Sequence, residues 1–65
     1  MTQTDKQNLA QAYESAWAVV KKSKCVVTVK PYGWFEVYKG GYHFQYRASQ
    51  LIGGIAVLTA RIAEK

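Results

Sequence analysis

The segment from Trp34 to Arg47 constrains the fold most, because its pattern predicts a β-hairpin folded about Gly40 and Gly41. A two-residue Gly-Gly loop suits the primed turns that join paired strands, since those turns need positive φ angles. The loop sets the register, and strand side chains alternate between the two faces of a sheet. The predicted inner face is mostly apolar and carries Phe35, Val37, Lys39, Tyr42, Phe44 and Tyr46. The predicted outer face is aromatic, polar and partly basic and carries Trp34, Glu36, Tyr38, His43, Gln45 and Arg47.

A third strand is predicted upstream of the hairpin, over residues 25–30, because this run is short and rich in β-branched side chains. Residues 31–33, Pro-Tyr-Gly, predict a turn. A three-residue loop pairs Val27 with Val37 and keeps the apolar faces together. A two-residue loop is the alternative, but it sets Val29 opposite Trp34. The first register agrees with the hairpin that follows, so we prefer it.

Helical spacing of apolar residues predicts a helix on either side of the strands. The first runs from about Asp5 to Lys22, with Thr4 as its N-cap and Gln7 as the reciprocal partner. Its apolar stripe is Leu9, Tyr13, Ala16, Trp17 and Val20. The last runs from about residue 49, where Ser49 is the expected N-cap, to about residue 63. Its apolar stripe is Leu51, Ile52, Ile55, Leu58 and Ile62.

Two glycines, Gly53 and Gly54, lie inside this last helix, where each costs roughly 1 kcal/mol relative to alanine. Either another backbone approaches closely there, or the glycines simply loosen the start of the helix. The sequence leaves both interpretations open.

The predicted architecture is α+β, a single small domain over residues 1–65 with the order helix, strand, strand, strand, helix. The simplest assembly is a three-stranded antiparallel meander with both helices on one face. The predicted sheet contribution to the core is Cys25, Val27, Val29, Phe35, Val37, Phe44 and Tyr46. At the level of topology, this order and length resemble a double-stranded-RNA-binding domain. The lysine-rich start of that family's last helix is replaced here by residues 47–50, Arg-Ala-Ser-Gln, so no binding residue is transferred.

Composition narrows the functional classes. The 65 residues carry nine Lys or Arg against four Asp or Glu, a net charge of +5. A diffuse positive charge favours nucleic acid or an acidic protein surface as partner, and it also serves solubility. A single cysteine fits a reducing compartment. The longest nearly apolar run, residues 51–60, is shorter than the about 20 residues of a spanning helix. We therefore expect a cytoplasmic protein with no membrane contact.

Nothing in the sequence predicts catalysis. The four acids are scattered, and Cys25 and the single histidine, His43, are predicted on opposite faces of the sheet. The glycine pairs lack the spacing of a phosphate-binding loop, and a structural zinc site needs four ligands. We expect a protein that is not an enzyme and holds no metal or cofactor.

The outer sheet face is the predicted binding surface. Its candidate residues are Trp34, Tyr38, Arg47, Lys30, His43 and Gln45. Exposed aromatic rings can stack on bases while cations meet phosphates, and the same side chains make hot spots in protein interfaces. A purely structural alternative is a ladder of cross-strand pairs, with Trp34 stacked on Arg47 and Tyr38 on His43.

Two functions follow from this surface. The first is a binding module for nucleic acid or for a nucleic-acid-handling complex. The second is a stoichiometric protein-binding inhibitor of the type that phages and mobile elements encode. Either is compatible with a homodimer, built on Gly53, Val57 and Ala60 of the last helix or on an edge strand.

Overall fold

The computed structural model describes residues 2–63 and contains two helices and one sheet. Helix α1 spans Gln3–Lys21, strand β1 Cys25–Val29, a 3-10 turn Pro31–Gly33, strand β2 Trp34–Lys39, strand β3 Tyr42–Arg47 and helix α2 Ala48–Ala63. The strands form one antiparallel sheet in the order β1-β2-β3, and both helices pack on it. The predicted α+β architecture is confirmed. Within the described residues, neither helix is long and apolar enough to cross a membrane.

Both predicted strand registers are confirmed. In the hairpin, Val37 pairs with Phe44 and Lys39 pairs with Tyr42 across the two-residue loop. Between β1 and β2, Val27 pairs with Val37, as the three-residue loop requires. The loop glycines, with φ angles of 59° at position 40 and 79° at position 41, supply the positive φ that the primed turn needs.

The N-terminus of α1 lies two residues before the predicted start. Thr2 is the N-cap, and its hydroxyl accepts a 3.1 Å hydrogen bond from the backbone N–H of Asp5. The Asp5 carboxylate accepts from the N–H of Thr2 in return, at 3.3 Å. The prediction of Thr4 and Gln7 as the capping pair is therefore wrong. Both pairs have the same spacing, but a carboxylate at a helix N-terminus gains from the helix dipole and an amide does not.

Helix α2 also begins earlier than predicted, at Ala48, directly after β3. The backbone N–H of Arg47 donates a 2.8 Å hydrogen bond to Oε1 of Gln50. Ser49 lies inside the first turn and is not the N-cap. The Gln50 side chain accepts from the Arg47 N–H, as the glutamine at the third helical position of a capping box does.

The core lies between the helices and the inner sheet face. Its buried members are Tyr13, Ala16, Cys25, Phe35, Val37, Leu51 and Leu58. Val27, Val29 and Tyr46 pack against this cluster and are partly buried, as predicted.

The prediction of Phe44 as a core residue is wrong, because its side chain is 38% exposed. Helix α2 leaves β3 without a connecting loop and packs chiefly against α1, so it does not cover the middle of β3. The Phe44 ring stacks instead on Tyr46, with ring centroids 5.8 Å apart. Ile52 and Ile62 of the predicted α2 stripe are also exposed.

Candidate binding face on the outer side of the sheet

The side of the sheet opposite the helices carries the candidate site, which we call the outer face. Cross-strand pairing arranges its side chains in three rows, and in the first row Lys30, the residue directly after β1, takes the β1 place. The rows are Lys30–Trp34–Arg47, Thr28–Glu36–Gln45 and Val26–Tyr38–His43. All nine side chains are exposed or half-buried. The six candidate residues predicted from the sequence therefore lie on one surface, which both helices leave open.

The first row is a cation–aromatic stack. The guanidinium carbon of Arg47 lies 3.8 Å from the centroid of the Trp34 ring, and Arg47 Nη1 donates a 2.7 Å hydrogen bond to the Tyr32 carbonyl. These contacts hold the guanidinium over the indole ring. Arg47 as a whole is exposed.

The third row contains a second stack, between Tyr38 and His43. Their ring centroids are 4.6 Å apart and the ring planes are inclined by 18°. The Tyr38 side chain is 48% exposed. The ladder of cross-strand pairs predicted as the structural alternative is thus present. It leaves an accessible aromatic surface at each end of the outer face.

The middle row places one negative charge between the two stacks. A Glu36 carboxylate oxygen lies 3.6 Å from Lys30 Nζ and 3.4 Å from His43 Nε2. The Tyr38 hydroxyl, followed by the charges of Lys30 and His43, lowers the pKa of Glu36, although partial desolvation opposes this. The carboxylate in turn raises the pKa of Tyr38. Glu36 is therefore ionised at neutral pH, and Gln45 beside it adds an exposed amide.

The spacing of the stacks suits an extended ligand. Trp34 and Tyr38 are four residues apart on β2, which is about 13 Å along a strand. Two planar groups of one flexible chain can therefore occupy the two stacks with an intervening unit over the middle row.

Tyr32 is a component that sequence reasoning missed. Its side chain is 91% exposed, and its backbone has φ 62°, the left-handed region that tyrosine seldom adopts. It lies beside the first row, because its carbonyl accepts the Arg47 hydrogen bond. The Pro-Tyr-Gly turn was visible in the sequence, but the exposure of the Tyr32 ring depends on backbone angles that the turn motif does not specify.

Lys39 is the second feature that the sequence did not reveal. On the inner face, its ammonium lies 4.4 Å from the Trp17 ring centroid and 5.3 Å from those of Tyr13, Phe44 and Tyr46. Burial opposes the charged form, but the Tyr13 and Tyr46 hydroxyls outweigh it and raise the pKa of Lys39. An aromatic cage of the kind that binds external ammonium groups is thus filled by the chain's own lysine.

Cys25 and His43 lie on opposite sides of the sheet, as predicted. Cys25 is buried in the core, and burial, followed by the Glu14 charge, raises the pKa of its thiol, while Lys39 lowers it. His43 is exposed on the outer face. The two do not form a nucleophile–base pair, which needs the side chains within hydrogen-bond reach.

The candidate dimer residues Gly53, Val57 and Ala60 are all exposed on α2, away from the outer face. Val57 is 56% exposed. The structure brings these residues together on one helix but not with the other candidates.

Comparison of the chain with protein-family models, curated proteins and solved structures gave no significant match. The functional interpretation therefore depends on the chemistry of the outer face.

Proposed function

We propose that this chain is a non-enzymatic binding module that engages single-stranded nucleic acid through its outer face. The observation that carries the proposal is the pair of stacks, Trp34 with Arg47 and Tyr38 with His43, on a sheet face that the helices leave open. Aromatic and guanidinium planes accept unpaired bases by stacking, which contributes about 1–3 kcal/mol per base.

Each row of the outer face has a distinct role in this proposal. A base stacks on the exposed side of the Arg47 guanidinium, and a second base stacks on Tyr38. Lys30 neutralises a phosphate, and the Gln45 amide offers a donor and an acceptor to a base edge. Lys30 and Arg47 flank Trp34, so the first row is the part of the outer face that meets phosphates, and the ligand then passes over the middle row to reach Tyr38.

The test is a fluorescence anisotropy titration of labelled single-stranded and double-stranded oligonucleotides at low salt. We expect a preference for the single strand and an affinity that falls as salt rises. Tyr38→Ala and Trp34→Ala should each weaken binding roughly tenfold, because the first removes a stacking platform and the second removes the indole that supports Arg47. Tyr42→Ala is the matched control, since Tyr42 is an exposed aromatic residue on the inner face. Absence of binding to every oligonucleotide at low salt would eliminate the proposal.

A protein partner is the second candidate, and the central Glu36 is the observation that favours it. A carboxylate amid the binding surface repels phosphates but can pair with a basic side chain of a protein. Trp, Tyr and Arg also dominate interface energetics. In this case the chain is a stoichiometric inhibitor, and its target is a component of a nucleic-acid-handling complex.

Glu36→Gln separates the two candidates, because it keeps the shape and removes the charge. Oligonucleotide affinity should rise a few-fold when the repulsion is removed. Binding to a protein through a salt bridge should fall instead. A pull-down from host lysate with wild type and Trp34→Ala adds a second readout, since equal recovery of partners by both would argue against the outer face.

The homodimer on Gly53, Val57 and Ala60 is compatible with either candidate, because it uses the opposite side of the molecule. Light scattering over a range of concentrations tests it. A monomer at the highest concentration would refute it. A cytoplasmic location is part of the same proposal and follows from the reducing compartment that a lone thiol favours.

A further inference from the structure

We infer that the free edge of β1, beneath the N-terminal half of α1, is a groove for an extended peptide that adds to the sheet as a fourth strand. The groove has a volume of about 330 Å³. Its lining includes Gln3, Gln7, Gln11 and Glu14 of α1 and Val27 and Val29 of β1. It lies at the strand edge and is separate from the two stacks of the outer face.

The backbone of β1 presents hydrogen-bonding groups to this groove. The N–H of Lys30 donates to the Trp34 carbonyl at 2.9 Å, so it points towards β2. Donors alternate in direction along an antiparallel strand, and the N–H groups of Val27 and Val29 therefore point away from β2. They line an open edge, because β1 is a terminal strand of the sheet.

Glu14 accepts a hydrogen bond from one of these outward N–H groups in the free chain. One of its carboxylate oxygens accepts a 2.7 Å hydrogen bond from the N–H of Val27. That oxygen occupies the position in which a neighbouring strand would place its carbonyl oxygen. Glu14 is thus a stand-in for the missing strand and also blunts an edge that would otherwise invite aggregation.

The helix side of the groove has a matching repeat. Gln3, Gln7 and Gln11 are exposed and recur every four residues of α1, a spacing of about 6 Å along a helix. Alternate residues of an extended peptide are about 6.7 Å apart. A peptide in the groove therefore meets β1 backbone groups on one side and side-chain amides on the other. The half-buried side chains of Val27 and Val29 lie beneath it.

The charges favour a foreign peptide over a second copy of this chain. An antiparallel pairing of two β1 strands about Val27 would bring the two Glu14 carboxylates together at the seam. Each copy also carries a net charge of +5. A peptide backbone has neither obstacle, and strand addition draws its affinity from main-chain hydrogen bonds.

The test is an NMR titration of the full chain with a blocked hexapeptide of alternating threonine and valine at millimolar concentration. The amide signals of Val27 and Val29 should shift, and their hydrogen exchange should slow roughly tenfold or more. The same peptide with every second nitrogen methylated lacks the donors for the edge and should cause neither effect. Failure of the unmodified peptide to shift either amide, or equal shifts with the methylated one, would overturn the inference.

Two substitutions sharpen the test. Val29→Pro removes an outward N–H at an edge position where proline is tolerated, and it should abolish binding, while Val29→Thr should not. Glu14→Ala removes the competing acceptor and should tighten binding roughly tenfold. Weaker binding by a folded Glu14→Ala variant would refute the stand-in role and with it the inference.

The remaining outcomes are equally decisive. Self-association of the free chain through the Val27 and Val29 amides would replace the peptide with a second copy and overturn the inference. Tyr38→Ala should leave peptide binding unchanged, because Tyr38 lies on the outer face. A loss of peptide binding in that variant would show that the peptide binds the outer face and would overturn the inference.

Discussion

Gly54 of α2 lies against the ring of Tyr13 of α1, and a β-carbon at position 54 would stand 2.8 Å from Cε2 of that ring. Real β-carbons essentially never make so short a contact. Of the two interpretations of the glycine pair, close approach applies to Gly54, although the neighbour is a side chain and not a backbone. A β-carbon at Gly53 would meet nothing within 4 Å, so packing does not require glycine there.

Gly54→Ala and Gly53→Ala are therefore a matched pair with opposite expected outcomes. Alanine at position 54 should destabilise the fold by about 1–3 kcal/mol, because the Tyr13 ring must move within a packed interface. Alanine at position 53 should stabilise it by about 0.5–1 kcal/mol, the ordinary gain in an exposed helix interior. Chemical denaturation of both variants provides the measurement. Equal shifts in the same direction would contradict the assigned contact.

Lys39→Ala should lower the free energy of unfolding by about 1–3 kcal/mol. The variant loses cation–π contacts, worth about 0.5–2 kcal/mol, and the 2.7 Å hydrogen bond to the Tyr13 hydroxyl. Lys39→Met keeps most of the apolar stem, so its effect isolates the part of the unfolding free energy that is due to the charge. Lys24→Ala is the control, since Lys24 is exposed in the turn before β1 and should change stability by less than about 0.5 kcal/mol. A Lys39→Met variant as stable as wild type would show that the charge contributes nothing.

Tyr32→Gly should make the fold more stable by about 0.5–1 kcal/mol, because glycine adopts the observed φ of 62° without strain. The exposed tyrosine ring has little packing to lose. If Tyr32 extends the first row of the outer face, the same variant should bind single-stranded oligonucleotides more weakly. Thermal unfolding and anisotropy measure the two effects. A loss of stability would contradict the strain at this position.

Glu36 should make the stability of the chain depend on pH on the acid side. Its pKa is lowered in the folded state, so its contribution is present above the ordinary pKa of a glutamate and is lost as the pH falls through the folded value. Glu36→Gln should therefore show a shallower loss of stability than wild type on acidification. Denaturation midpoints measured from neutral to acidic pH check this, and parallel curves for the two proteins would refute it.

The outer face could be anticipated almost entirely from the sequence. Gly-Gly at positions 40 and 41 sets the turn, the turn sets the register, and strand alternation then sorts Trp34 and Tyr38 from Phe35 and Val37. Each step follows from local backbone geometry and needs no knowledge of distant contacts. The stacks on Arg47 and His43 follow from the same register.

The N-terminal boundaries of the helices were less accessible to sequence reasoning. Thr2 with Asp5 and Thr4 with Gln7 both satisfy the spacing of a capping pair, and the backbone adopts only one of them. At α2, Ser49 is the expected N-cap, but the helix begins at Ala48 and the Gln50 side chain accepts from the N–H of Arg47. Competing caps differ by about 1 kcal/mol or less, so pattern alone does not choose between them.

The sequence by itself determined the strand pairing and the division of the sheet into an inner and an outer face, because both depend on interactions between neighbours in the chain. Only the tertiary structure decided that Lys39 fills an aromatic cage, that Phe44 is exposed and that Glu14 completes the β1 edge. These three outcomes depend on where α1 and α2 lie over the sheet. Helix placement is the sum of many small packing contacts between residues far apart in the chain, and no short pattern encodes it.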